Sequence, residues 1–336
     1  MDELAIRTDR PVVALAMGDP SGVSPELTAR LLQLPEARTD SRIVVFGDAR
    51  ILEDGAGIAS VGLDIAVVGT LEAALAQDRN AIVDMANLAP SEVVRGVATL
   101  SGGRFALANF RAALEAAVDG RVDAVCYTPF NKKAMRMAYP SYDDDVRFVL
   151  DVTGFAGKIR EFNVLERIWN ARVTSHIPLK DVASHLTVAG IVSEIELTVS
   201  CLRRSGIPSP RIAVAALNPH AGDGGSFGME EIDIIDPAVA SARAAGFDVE
   251  GSFPSDTVFL RAMKEGFHAV LTMYHDQGQI AMKMMGFDKG VTMIGGLPFP
   301  LCTPAHGTAY DIAGQGTAEV GASREALKLA ISMSGR

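Results

Sequence analysis

The sequence predicts an α/β protein of two domains built on a parallel sheet, and three observations predict it. Short β-branched runs alternate with helical patterns along the chain, the signature of strands joined by crossover helices. The strand runs are almost continuously apolar, as expected of a sheet covered on both faces. At 336 residues the chain also exceeds the ~100–200 residues usual for one domain.

The elements follow in order. Strands are expected in "PVVALAMG" (11–18), "RIVVFG" (42–47), "AIVDM" (81–85), "VDAVCYT" (122–128), "RIAVAALNP" (211–219), "HAVLTMYH" (268–275) and "GVTMIGG" (290–296). Between them, "SPELTARLLQL", "GRFALANFRAALEAAVDG", "AGIVSEIELTVSCLRRSG", "DTVFLRAMKEG" and "SREALKLAISM" carry apolar residues at helical spacing. Ser24 followed by Pro25 reads as an N-cap and first turn. Gly120 and Gly206 read as helix stops. No repeat or flexible linker interrupts the pattern, and the polar segment 134–148 is the best crossover between domains. Its run Asp143, Asp144, Asp145 is, taken alone, a solvated turn.

Composition excludes several function classes. An apolar fraction of 48% and a charged fraction of 21% are those of an ordinary globular protein. A formal charge of −10 with no basic stripe argues against nucleic acid. Cys126, Cys201 and Cys302 are far apart and form no CxxC pair, as expected of buried thiols in a reducing compartment. The start "MDELAIRTDRP" lacks the features of a secretory leader, and no apolar run approaches the ~20 residues of a membrane span. A cytoplasmic location is expected.

The motifs narrow the chemistry. No GxGxxG follows the first strand, where "MGDPSGVSPEL" stands instead, so any dinucleotide is held by another device. His176, His220 and His275 lie at or just past the ends expected for three strands, where open α/β sheets bind ligands. A lone histidine is usually structural, but three at equivalent strand ends suit zinc or a similar divalent ion, with Asp276 orienting His275. His185 reads as a solvated helix position and His268 as a strand entrance. The loop "NPHAGDGGSFGMEE" (218–231) could hold an anion or the polar edge of a cofactor on its backbone, with Glu230 and Glu231 set against a helix dipole, or be a tight turn without ligand. The stretch "AHGTAYDIAGQGTA" (305–318) suits a loop wrapping a flat ligand, or an ordinary surface loop.

Together "MGDPSGVSPEL", "TPFNKKAM", "TSHIPL", "NPHAGDGGSFGMEE", "PSDTVF", "MYHDQGQIAMKMMGF" and "GLPFPLCTPAHGTAYDIAGQG" resemble the 4-hydroxythreonine-4-phosphate dehydrogenase family along almost the whole chain. The resemblance implies the isocitrate and isopropylmalate dehydrogenase type of fold: two α/β/α domains with a cleft between them. One domain would be 1–130 plus 300–336, with both termini; the other, 131–299, would carry most metal-site and dimer contacts. It implies a homodimer whose partner helps complete each site, NAD or NADP as cofactor, and a divalent metal on His176, His220 and His275: zinc, or magnesium, manganese, cobalt or iron. Lys283 matches a lysine that contacts substrate, and Lys132 falls where the family keeps a lysine suited to acid or base work. Gly224, Gly225, His306 and Asp311 are the expected cofactor contacts, the last near the ribose.

Four positions depart from the family pattern. Asp145 and Val146 stand where a substrate-binding His-Thr pair is usual, Thr292 replaces an asparagine, and Leu301 replaces an arginine. Losing an arginine removes a strong phosphate contact. The sequence therefore favours a substrate without phosphate: a carboxylated cyclohexadiene cis-dihydrodiol of the terephthalate type, oxidised and decarboxylated as a β-hydroxy acid. The alternative is 4-hydroxythreonine 4-phosphate or a phosphorylated sugar acid. A phosphate acyltransferase is the reading from another class, and it needs neither a metal trio nor an adenine loop.

Overall fold

The computed structural model describes residues 10–286 and 289–335. The N-terminal stretch 1–9, read above for a leader, and Phe287 at the end of the "MYHDQG" motif lie outside the described residues. Twelve strands run, in chain order, β1 (Val12–Ala16), β2 (Arg42–Gly47), β3 (Ala66–Val68), β4 (Ala81–Asp84), β5 (Ala124–Tyr127), β6 (Arg160–Leu165), β7 (Ile168–Arg172), β8 (Arg211–Ala215), β9 (Asp248–Phe253), β10 (Ala269–Thr272), β11 (Val291–Gly295) and β12 (Leu301–Pro304) among the described residues. The result is a mixed α/β fold with extensive sheet.

The chain divides into two compact units, Met1–Ile159 with Leu297–Arg336, and Arg160–Gly296. In the first, the strand order is β3-β4-β2-β1-β5-β12 and every pairing is parallel. Its strands β1, β2 and β5 are buried at every position, as their unbroken apolar runs require. The helix Leu100–Val118 packs on β1, β2 and β5 and carries Phe110, which is fully buried against Tyr127, Phe130 and Phe148. That aromatic cluster keeps residues 131–159 with the first unit instead of the second, where the sequence places them. The helix Lys132–Ala138 lies so close to Leu100–Val118 that a Cβ on Gly103 would sit 2.0 Å from the Ala134 carbonyl oxygen.

In the second unit the order is β11-β6-β7-β10-β8-β9. β7, β10, β8 and β9 are parallel, whereas β6 pairs antiparallel with both β7 and β11. The expectation of a purely parallel sheet is corrected here. β6 and β7 form a hairpin with Leu165 opposite Ile168, leaving a two-residue turn, and neither shows an apolar run. Their polar side chains satisfy one another: buried Arg172 donates to Glu161 at 3.0 Å and to Asn163 at 2.7 Å. The core of this unit gathers Ile168, Ala213, Ala215, Val258, Phe267, Val270 and Met282.

The five helices expected from sequence are found, with one correction at their boundaries. Ser24 does not cap the helix Ser24–Leu31; Val23 holds that position, and the Ser24 hydroxyl donates to the Pro129 carbonyl at 2.8 Å. Gly120 and Gly206 take positive φ past their helices. No single helix among the described residues is long and apolar enough to cross a membrane.

Candidate active site

In the second unit, two strand exits meet at the peptide of Met273. β10 ends at Thr272, and His275 begins the helix His275–Gly286 instead of closing a strand as its sequence suggested. β7 ends at Arg172; beyond it, the Thr174 N–H and hydroxyl both donate to the Met273 carbonyl, at 3.1 and 2.7 Å. His176 follows on that loop, and its ring centroid lies 5.7 Å from that of His275. His275 Nδ1 pairs with Asp276 Oδ1 at 2.7 Å. That contact favours the tautomer with the proton on Nδ1, leaving Nε2 as the donor for a ligand.

His220 sits on the loop after β8, with its ring 6.2 Å from Phe227. The structure brings His176 and His275 together and does not bring His220 to them: no three His, Cys, Asp or Glu side chains among the described residues gather closely enough to hold a metal ion. The pair fits a divalent ion chemically, as two imidazoles of which one is already oriented by a carboxylate. Lys283 is exposed on the helix of His275, and Thr292 is half-buried on β11 opposite Asn163.

The loop bearing His220 is a left-handed turn, with φ of 54° at His220, 55° at Ala221, 77° at Gly222, 45° at Asp223 and 63° at Gly224. Non-glycine residues there cost roughly 1 kcal/mol or more each, so something must hold them. Glu231 does so. Almost fully buried, its carboxylate accepts from the N–H groups of Leu217 and Asn218, both at 2.8 Å, and from Asn218 Nδ2 at 2.9 Å. Its role is thus to clamp the loop, not to answer a helix dipole as expected from sequence; Glu230 takes the same Asn218 amide at 2.7 Å. Gly224 and Gly225, expected to meet a cofactor, both hold positive φ on this loop.

Burial would raise the Glu231 pKa, but the bonds from Asn218 and Leu217 outweigh it and the carboxyl titrates below the ordinary range. A lowered folded-state pKa contributes stability that is full above the unfolded value, ~4.3, and is lost as pH falls through the folded one. Glu231→Gln should therefore be less stable than wild type at pH 7, with the gap closing toward pH 3. Denaturant titrations across that range check it, and a pH-independent gap would contradict the assignment.

In the first unit, the loop 305–318 is packed, not free. Val23, Leu27 and Ala318 form a buried cluster with Ile312 against it, the Val23 N–H donates to Thr308 O at 3.0 Å, and Arg30 Nη2 donates to Gly316 O at 2.5 Å. Buried Asp19 accepts from the Tyr310 hydroxyl at 2.5 Å and from the Ser21 N–H at 2.9 Å, and burial raises its pKa. Two buried polar atoms beside this loop, Ser21 Oγ and His306 Nε2, have no hydrogen-bond partner in the protein. Orphaned polar atoms of this kind fit the polar edge of a bound nucleotide. Asp311 is exposed on the same loop.

Two expected substrate residues of this unit have other work. The Asp145 carboxylate accepts from the Tyr127 hydroxyl at 2.7 Å and, on its other oxygen, from Tyr142. Both oxygens are engaged, and the carboxylate anchors the helix Asp145–Thr153, which Asp144 caps. Val146 beside it is half-buried. Leu301 opens β12 opposite Val125 with no exposed surface, so it cannot contact a substrate. Lys132 is exposed at the first turn of its helix, whose N-cap is Asn131.

Residues 39–330 match the family model described as pyridoxal phosphate biosynthetic protein PdxA. The chain belongs to the PdxA family. A relative in Rhizobium meliloti (strain 1021), provisionally named 4-hydroxythreonine-4-phosphate dehydrogenase 2, is 68% identical over 96% of this PdxA chain and 93% of its own. The crystal structure of 4-hydroxythreonine-4-phosphate dehydrogenase from Klebsiella pneumoniae superimposes with a TM-score of 0.84 at 32% identity, covering 98% of this chain and 100% of that one. A terephthalate 1,2-cis-dihydrodiol dehydrogenase from Burkholderia xenovorans LB400 reaches a TM-score of only 0.66 at 27% identity, covering 96% and 98%. The expectation of a dihydrodiol substrate is overturned by that contrast. Its physical premise also fails, because Leu301 lies in the core of β12 and says nothing about which anion a site would receive.

Proposed function

We propose that this PdxA protein is an NAD-linked dehydrogenase of 4-hydroxythreonine 4-phosphate, oxidising the C3 alcohol to a ketone β to the carboxylate, which is then lost as carbon dioxide. The observation that carries this reading is the 68% identity, over nearly the full length of both chains, to a relative named for that activity. When bound, the dinucleotide supplies the hydride acceptor and a divalent ion the Lewis acid for the alcohol and for the carbonyl it becomes.

In this reading His176 and His275 hold the ion, and Asp276 keeps His275 in its ligating tautomer. Lys132 takes the proton of the C3 hydroxyl. Lys283 supplies positive charge for the phosphate. Gly224, Gly225, His306 and Asp311 contact the dinucleotide, with Ser21 added to them by its orphaned hydroxyl. The working form is a homodimer.

The test is a steady-state assay of the purified chain with NAD and a divalent ion on the phosphorylated acid and on its dephosphorylated form. Equal yields of NADH and carbon dioxide are expected from the former. The latter should be poorer by about 100-fold or more in kcat/KM, since each charge-assisted bond contributes about 1.5–3 kcal/mol. Equal turnover of both acids, or none of the phosphorylated one, would refute the reading.

A further inference from the structure

We propose that Asp19 is a positioning residue whose two carboxylate oxygens fix Ser21 and the turn at Tyr310 as facing walls of the nucleotide seat. The proposal rests on reading the loop 305–318 as that seat. Asp19 Oδ1 accepts from the Ser21 N–H at 2.9 Å, and Oδ2 from the Tyr310 hydroxyl at 2.5 Å. The second bond is short, as expected of a hydroxyl on a carboxylate, and it joins two residues 291 positions apart. Asp19 itself stands on a firm base. Its N–H donates to the Pro129 carbonyl at 3.0 Å, and the Gly18 N–H to Thr128 Oγ1 at 2.9 Å, both just beyond β5. A Cβ at Gly18 would fall 2.3 Å from the Thr128 carbonyl oxygen, so glycine is what lets the segment lie this close.

Each wall depends on the carboxylate. The Ser21 carbonyl accepts from the Gly96 N–H at 2.8 Å, so Ser21 is gripped on both sides of its peptide backbone. Its side chain, buried with 1% exposure, nonetheless keeps an unpartnered hydroxyl. On the opposite wall the turn is strained: Ala309 holds a φ of 44°, in the left-handed region that a residue with a Cβ avoids. Its two neighbours keep it there, Thr308 through the Val23 N–H and Tyr310 through Asp19. Tyr310 lies between His306, whose Nε2 is also unpartnered, and Asp311, so its tether sets where both stand. Without that tether the loop has other arrangements open to it. Apparent affinity then falls by the fraction of loops that remain competent.

The experiment titrates NADH, followed by its own fluorescence, into the full-length protein and its Tyr310→Phe, Asp19→Ala and Asp19→Asn variants with no substrate present. Steady-state kinetics with NAD and the phosphorylated acid follow. Tyr310→Phe and Asp19→Ala should bind NADH about 10-fold more weakly, as when roughly one loop in ten stays competent. Their KM for NAD should rise by the same factor while kcat stays within about twofold, a split that loss of stability alone does not produce. Asp19→Asn should fall between them and wild type, because its oxygen can take the Ser21 N–H while its amide turns to the phenol oxygen. If Asp19→Ala does not fold, Tyr310→Phe decides: NADH affinity and KM for NAD like those of wild type overturn the proposal. A fall in kcat with KM for NAD unchanged overturns it too. Wild-type protein that binds no NADH sinks the nucleotide reading itself, and the proposal with it.

Discussion

Phe110→Ala should destabilise the protein by about 3–5 kcal/mol, the usual cost of truncating a fully buried phenylalanine. The ring has no exposed surface and lies 4.7 Å from Tyr127, 5.0 Å from Phe130 and 5.7 Å from Phe148, centroid to centroid. Its loss opens a cavity at the junction of β5, the helix Leu100–Val118 and the helix Asp145–Thr153. Those backbones are held by their own ladders and cannot collapse to fill it. Tyr127 also donates to Asp145, so the truncation loosens the tether of that second helix. Denaturant unfolding measures the change, and a loss below about 1 kcal/mol would show that the cluster is not the first unit's keystone.

The second large effect is catalytic. His275→Ala should lower kcat/KM on the order of 10³-fold or more, as removal of an essential group does, and abolish metal uptake. Asp276→Asn should cost only ~10–100-fold. Asp276 is largely exposed, with 75% of its side chain accessible, so water competes for its bond to His275 and the effect belongs at the lower end. Side-by-side kinetics and metal analysis separate the two. Equal losses would mean that the carboxylate acts directly, and a silent His275→Ala would remove the imidazole pair from the mechanism.

Strands β1, β2, β4 and β5 of the first unit were legible because they are largely buried and say so in continuous apolar residues. β3, β6, β7, β9 and β12 were not. In β6 and β7, buried Arg172 and half-buried Glu161 pair across the hairpin, a pairing invisible until the strands are aligned. β12 is four residues long and hidden inside a loop-like motif. The strand-end rule found His176 and His275 but misread the second as the last residue of a strand, because the apolar run of β10 continues unbroken into the helix. The partners of Glu231 could not be read from sequence: they are peptide groups 14 and 13 residues back at the exit of β8, and a carboxylate carries no periodic signal of its own.

The second unit is an interruption of the first: the chain leaves at Ile159 and returns at Leu297. β12 and the helix Gly321–Met333, which complete the first unit against β5, therefore emerge from the ribosome only after the whole of the second unit. Until then β5 presents a bare, wholly apolar edge, the kind of template that recruits foreign strands. Nascent chains of this protein should depend on chaperones most heavily during synthesis of residues 160–296, and fragments ending there should aggregate where the finished chain does not.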